Sequence, residues 1–440
     1  MIDERRLIEY VVAQRWFASK TRDVTHATVI DTAELRSTTP RASIVLVEIR
    51  FDTGTHETYQ VVFGEDFDGL GDPSLARELV HALRGAVTLQ ANEGTIAFRR
   101  VEGFAELGRE LRNARRIESE QSNTSLVFDD EVILKVFRRL EPGVNPELEL
   151  LRFLTERGFA NIAPLGGWYE YAGKPMDATL GVLQRFVRDG RDGWELALDE
   201  LESSPDRFLA RLHRLGQVTG DMHTVLGSDA QDPTFCPEEP STETLSLLTA
   251  TIDEQIEQIF LSLPDDDAVE PIAGRGEEVR EQLRQRTHIG AVGRVIRHHG
   301  DFHLGQTLWA DEDWIILDFE GEPIRPLPER RRKRSPLRDV AGMLRSFAYA
   351  VSAAEIQRGV VAPPDWEERA REQFLTGYRE TVDQNLLPAG DVAFERLLSI
   401  FELEKAVYEL RYELDNRPDW VRIPVAGILR LLHTEAGAAA

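Results

Sequence analysis

This 440-residue chain has a single cysteine, Cys236. One thiol excludes an internal disulfide and a cysteine-based metal cluster. Lysine is nearly as scarce: Lys20, Lys135, Lys174, Lys333 and Lys405 are all of it, and arginine supplies the remaining positive charge. A lysine kept at a motif position is therefore less expected by chance. No apolar run reaches the roughly 18 residues of a membrane span, and Met1-Ile2-Asp3-Glu4-Arg5-Arg6 does not read as a signal peptide. The expectation is a cytoplasmic protein with no membrane partner. Positive charge is in deficit overall, the net charge being −25. That argues against nucleic acid as a partner, because phosphate backbones need a basic face. What is present is 42% apolar residues in a length sufficient for two or three domains.

The most informative stretch is His299-Gly300-Asp301-Phe302-His303-Leu304-Gly305-Gln306, with Asp318-Phe319-Glu320-Gly321 following. Between them, Thr307-Leu308-Trp309 and Trp314-Ile315-Ile316-Leu317 flank an acidic turn at 311–313, the pattern of a short β-hairpin. A hairpin brings its ends together, so Asp301, Gln306 and Asp318 should converge. One carboxylate can then face a substrate hydroxyl while a second carboxylate and an amide oxygen hold a hard cation, the parts list of phosphoryl transfer.

Upstream, Leu126-Val127-Phe128 and Val132 to Phe137 read as a second hairpin around Asp129-Asp130-Glu131. The preceding Glu120-Gln121-Ser122-Asn123-Thr124-Ser125 offers small polar donors suited to a triphosphate. Lys135 stands in an apolar strand, where an ammonium is costly unless paired. Glu149, on a helix expected from Pro146 to Arg157 with Asn145 as N-cap, is its natural partner. Residues 1–105 read as a small α+β unit, with strands at Ala27–Ile30, Ala42–Phe51, His56–Phe63 and Gly94–Val101 and helices at Arg5–Trp16 and Leu75–Leu83. From about 190 the chain reads as mostly helical. His213 and His223 fall on one amphipathic helix with no third ligand at metal spacing, and are taken as core histidines. The helix Phe401 to Leu414 sets Lys405, Tyr408, Glu409 and Tyr412 on one face and leads to Trp420. An aromatic and polar face of this kind suits a sugar.

The His-Gly-Asp-x-His pattern with the later Asp-Phe segment resembles the catalytic loop of the aminoglycoside-phosphotransferase branch of the protein-kinase-like enzymes, with Gln306 where an Asn is usual. His-Leu-Gly-Gln, Asp-Phe-Glu-Gly-Glu-Pro, the run 120–149, the opening Arg-Trp-Phe-Ala-Ser-Lys and the C-terminal Lys-Ala-Val-Tyr-Glu with Arg-Pro-x-Trp resemble the maltokinase family. The resemblance implies an α+β, bilobal protein-kinase-like fold: a cap over 1–105, a β-rich N-lobe over 106–188 and a helical C-lobe over 189–440. It also implies ATP and Mg²⁺ as cofactors. Asp301 would be the catalytic base, supported by His303, and Gln306, Asp318 and Glu320 the metal ligands. Ser122 to Ser125, Lys135, Glu149 and Gln184 on the hinge strand would bind nucleotide. Asp301, Arg345, Lys405, Tyr408, Glu409 and Trp420 would meet the acceptor, a small sugar. The oligomeric state is not legible, a monomer being the simplest expectation.

Motif identity puts maltose first as acceptor, giving maltose 1-phosphate. The alternative is an amino sugar such as glucosamine, phosphorylated at O6. Glu409, Glu413 and Asp415 near Trp420 suit an ammonium, and Trp-Phe-Ala-Ser-Lys departs from the Trp-Tyr-Ala-Gly-Lys usual in maltokinases. An antibiotic-modifying phosphotransferase and an inactive kinase-like scaffold are further readings. The cap argues against the first. The second predicts loss of Lys135, Asp301 or Asp318, all of which are present. The basic run Arg330 to Lys333 and Arg334 is taken as a solvated loop balancing the acidic clusters, with contact to a triphosphate as the alternative.

Overall fold

The computed structural model describes residues 4–64, 68–117, 122–287, 289–290 and 292–433. Glu120 and Gln121, part of the polar run before the hairpin expected at 126–137, lie outside them. The chain divides into two compact units, one of residues 1–189 with 325–327, the other of 190–324 with 328–440.

In the first unit α1 (Glu4–Ala13) is followed by β1 (Val24–Arg36), β2 (Ala42–Phe51) and β3 (His56–Phe63). The last two match the expected bounds, and the first runs longer at both ends. Leu7, Val11, Trp16 and Phe17 pack on Val45, Val47, Tyr59 and Val61 to form this region's core. Helix α2 (Pro73–Gly85) starts where Asp72 accepts a hydrogen bond from the Ser74 N–H and Pro73 occupies the first turn. Then come β4 (Thr88–Gln90), β5 (Gly94–Arg100), β6 (Ala114–Arg116), β7 (Asn123–Phe128), β8 (Val132–Phe137), β9 (Arg139–Leu140), α3 (Pro146–Glu156), β10 (Leu165–Gly173) and β11 (Asp177–Arg185).

Two sheets result, ordered β1-β2-β3-β9 and β4-β5-β10-β11-β8-β7-β6. The strand that the sequence set as the close of the N-terminal unit, β5, is thus hydrogen-bonded to β10. Across the same region the Gln60 amide donates to the carbonyls of Phe137 and Leu180. Residues on either side of position 105 share one sheet and one compact unit.

The second unit opens with β12 (Arg191–Asp192), α4 (Gly193–Ser203), α5 (Pro205–Leu226), α6 (Thr242–Leu261) and α7 (Gly276–Arg286). The hairpin β13 (Thr307–Ala310) and β14 (Asp313–Ile316) pairs with β12 in a three-stranded sheet. After the single turn α8 (Leu327–Arg330) come α9 (Leu337–Arg358), α10 (Trp366–Thr381), α11 (Asp391–Asn416) and α12 (Arg422–His433). Helices α5 and α10 pack so closely that a Cβ on Gly377 would stand 2.0 Å from the His213 carbonyl oxygen, and one on Gly216 2.1 Å from that of Phe374. Only glycine permits that approach. It brings His223 of α5 beside Tyr378 of α10, and thereby sets the support of the site. Among the described residues no helix is long and apolar enough to cross a membrane.

Candidate active site

The hairpin expected between the two acidic motifs forms. Trp309 faces Trp314 and Ala310 faces Asp313, closed by Asp311 and Glu312, both at positive φ (49° and 63°). That geometry is the two-residue turn whose twist suits a hairpin. At the open end the Leu317 N–H donates to the Gln306 carbonyl oxygen, 2.9 Å, so Gln306 and Asp318 come together. Asp318 itself has φ +60°, a strained conformation for a non-glycine residue of the sort concentrated at functional sites. Its carboxylate and that of Glu320 each have an oxygen within 4.8 Å of the other.

The loop is held from behind by a residue the site reading did not single out. Asp339, at the start of α9 and buried, accepts hydrogen bonds from the backbone N–H of His299 (2.8 Å) and of Gly300 (2.9 Å). His223 Nε2 lies 3.1 Å from the same carboxylate, and His223 Nδ1 lies 3.0 Å from the Tyr378 hydroxyl. Burial alone would raise the Asp339 carboxyl, but His298, His223 and His299 hold it below the carboxylate range. His223 is thus a structural histidine, as the sequence implied, and it reaches the site through Asp339.

His299 joins the two motifs directly. Its Nε2 donates to the Leu317 carbonyl oxygen at 2.8 Å, which leaves Nδ1 to accept from the Asp301 N–H, 3.4 Å away. Phe302 and Phe319 pack on either motif's side of the ring, 5.1 and 5.0 Å between centroids. His303 Nδ1 accepts from the Gly305 N–H, 3.1 Å, and burial keeps its imidazole below the ordinary range. It holds the turn that delivers Gln306.

From α11, Lys405 reaches this loop, its ammonium 3.0 Å from Glu322 and 3.7 Å from Asp301. Burial opposes its charge, but Glu322 and then Asp301 hold it well above the lysine range. Tyr408, 37% exposed, has the Lys405 ammonium 5.4 Å from its ring centre. Of the rest of the expected acceptor face Tyr412 is exposed, while Glu409 and Trp420 are engaged otherwise. Glu409 is buried and accepts two hydrogen bonds from Arg345, at 2.7 and 2.9 Å, and Arg345 is itself only 1% exposed. This pair ties α9 to α11 instead of presenting charge to a ligand. Glu413 binds Arg417 and Tyr349, and Trp420 stacks on Tyr349 with Arg417 over its ring. Two of the three carboxylates read as ammonium partners therefore already hold cations, while Asp415 is exposed.

In the first unit Lys135 donates to Glu147 at 2.7 Å. Glu147 stands two residues before Glu149, the partner the sequence pointed to, in the first turn of α3, which Asn145 caps. Glu149 is buried nearby on the same helix. Of the polar run, Ser122 is exposed, whereas Thr124 is wholly buried and its hydroxyl accepts from Arg138 Nε, 2.8 Å. Thr124 is thus removed from any ligand-facing set, and Ser125 is buried as well. Gln184 is buried and spends its side chain on the Ala163 carbonyl oxygen, 3.1 Å.

The basic run is not a solvated loop. Lys333 donates to the carbonyl oxygens of Pro233 and Cys236, each at 2.7 Å, and to Glu238. Arg334 exchanges backbone hydrogen bonds with Ile296, and Arg330 donates to the Glu320 carbonyl oxygen at 3.2 Å. The run straps the loop that follows Asp318.

Comparison with known proteins bears on this arrangement. The model of the phosphotransferase enzyme family matches residues 113–371, and that of the maltokinase N-terminal cap domain matches residues 10–95. A glucosamine kinase of Streptacidiphilus jiangxiensis is 26% identical over 333 residues, 72% of this chain and 73% of that protein. A glucosamine kinase of Mycolicibacterium smegmatis (strain ATCC 700084 / mc(2)155) is 24% identical over 353 residues, 78% and 86% of the two chains. Among solved structures, a glucosamine kinase in complex with glucosamine, ADP and inorganic phosphate aligns over 96% of this chain and 98% of that one, at TM-score 0.72 and 21% identity. The fold is the expected protein-kinase-like one: a β-rich lobe and a helical lobe, with an N-terminal cap.

Proposed function

The chain belongs to the phosphotransferase enzyme family, and from that premise we propose that it is an ATP- and Mg²⁺-dependent kinase of an amino sugar, phosphorylating glucosamine at its 6-hydroxyl. The observation that carries the acceptor is the run of likeness, over 72% and 78% of this chain, to two proteins named glucosamine kinase. It favours the amino sugar over maltose, which motif identity put first.

Asp301 orients the acceptor hydroxyl and takes its proton as the oxygen bonds to the γ-phosphorus and the bond to ADP breaks. Lys405, fixed by Glu322, keeps positive charge beside that carboxylate. His299 and Asp339 hold the loop so that Asp301 needs no reorganisation at the moment of transfer. Lys135, held by Glu147, steadies the phosphates of the nucleotide. The oxygen donors Gln306, Asp318 and Glu320 suit a hard cation, and the strained Asp318 is aimed by the hairpin end. Bound there, Mg²⁺ would offset phosphate charge.

The match of residues 10–95 to the maltokinase cap favours a second reading, maltose to maltose 1-phosphate. ADP release with Mg-ATP, measured across glucosamine, maltose, glucose, N-acetylglucosamine and one aminoglycoside, separates the two when NMR assigns the phosphorylated carbon. We expect turnover with glucosamine and phosphate on C6, abolished by Asp301→Asn while nucleotide still binds. Maltose turnover with a 1-phosphate product would replace this reading with the second. Nucleotide binding without turnover on any sugar would leave an inactive scaffold.

A further inference from the structure

Within the first unit, away from every residue assigned above, a cavity of about 480 Å³ lies between one face of α2 and the segment 107–112. Its volume falls in the range of small-ligand sites. One wall is a helical stripe: Ser74, Arg77, Glu78, His81 and Arg84 stand at i, i+3, i+4, i+7 and i+10. The opposite wall brings Arg109, Glu110 and Arg112, the end of β1 adds Arg36, and Val80 and Leu107 line the cavity with apolar surface. Five arginines thus meet two glutamates, in a chain whose net charge is −25.

The local charge is only partly balanced. Arg36 pairs with Glu78 at 3.3 Å, Arg112 with Glu110 at 3.0 Å, and Arg109 with Glu131 at 3.1 Å. Arg77 and Arg84 meet no carboxylate among the described residues. Arg77 donates to the Arg112 carbonyl oxygen, and Arg84 approaches the Gly108 carbonyl oxygen at 3.5 Å. Gathering guanidinium groups without counter-charge costs free energy, which an anion would recover. The wall they face is fixed in advance. The backbone N–H groups of Arg112 and Asn113 donate to Asp129 at 2.6 and 3.0 Å, and these bonds, that from Arg112 foremost, hold the Asp129 carboxyl below its ordinary range. A site whose walls are set beforehand loses less on binding.

We propose that this groove binds a small sugar phosphate: the phosphate on Arg77, Arg84 and Arg112, the sugar hydroxyls on Ser74 and the two glutamates, and the ring over Val80 and Leu107. The inference is independent of which sugar the enzyme phosphorylates.

The test is calorimetric titration of the full chain with glucose 6-phosphate and fructose 1,6-bisphosphate, with the nucleotide site filled by a non-hydrolysable ATP analogue and Mg²⁺. Wild type should bind at least one of the two, more weakly as salt rises. Arg77→Ala/Arg84→Ala should weaken that binding at least tenfold, and the double lysine variant should restore part of it. Arg84→Glu, an exposed position in the last turn of α2, gives the same reading if the double variant fails to fold. Absence of binding to wild type, or equal binding to wild type and the alanine or glutamate variants, overturns the proposal.

Discussion

Lys405 holds its ammonium 3.7 Å from the carboxylate of Asp301, although 104 residues separate them in sequence. Glu322 shares the same ammonium at 3.0 Å, so the charge beside the proposed base is fixed by a second carboxylate. Because Glu322 and Asp301 raise its pKa against the pull of burial, Lys405 stays charged across the neutral and alkaline working range. Lys405→Met should lower kcat by roughly 10²-fold with the KM for ATP little changed, as for loss of one preorganised electrostatic group. Steady-state kinetics on both substrates checks this. A rise in the ATP KM with unchanged kcat would place Lys405 in nucleotide binding instead.

Glu147→Gln should raise the KM for ATP and lower kcat/KM by about tenfold or more, because the buried Lys135 ammonium would lose the charge of the carboxylate it bonds at 2.7 Å. Glu149→Gln, two residues along the same helix, should do less. Equal losses would mean that the two carboxylates hold Lys135 jointly.

Asp339→Asn should cost about 3–5 kcal/mol of stability, the scale expected when one partner of a buried charged network is removed. It should also slow turnover in whatever fraction remains folded, since the His299 and Gly300 N–H groups bond to different carboxylate oxygens and an asparagine can keep only one of the two as an acceptor. Tyr378→Phe, which removes only the hydroxyl on His223, should be milder, by about 1 kcal/mol. Denaturant midpoints together with kcat separate the two effects.

His298 gives the protein a pH dependence. Burial, with Arg338, Arg334 and His223 adding to it and Asp339 opposing, pushes its pKa down to about 3. Its Nδ1 has no hydrogen-bond partner among the described residues. The unfolded chain therefore takes up a proton near pH 6.5 that the folded chain refuses. Stability from this group is complete above about pH 6.5 and falls by up to about 1.4 kcal/mol per unit as pH drops toward 3. His298→Gln should flatten the slope of unfolding free energy between pH 6.5 and 4, and an unchanged slope would assign the dependence elsewhere.

What the sequence determined by itself was local. The acidic turn expected at 311–313, the apolar runs beside it and the Asn145-Pro146 helix start are each decided by a few neighbouring residues; the helix start stands where the pattern put it, and the turn forms one residue shorter, since Asp313 pairs with Ala310 as the first residue of β14. The convergence of Gln306 with Asp318 followed from the hairpin alone. The tertiary structure decided which groups were left to act. The bond from Lys135 to Glu147 depends on how α3 packs on its sheet, which no neighbouring residue signals. Thr124 looked like a ligand donor until Arg138 closed on it, and Glu409 looked like a substrate contact until Arg345 reached it from α9. Asp339, Glu322 and His223 carry no local signature, because their partners lie 40, 83 and 116 residues away. Only the glycine-mediated approach of α5 to α10 and the docking of α9 and α11 behind the loop at 299–306 bring such groups within hydrogen-bonding distance.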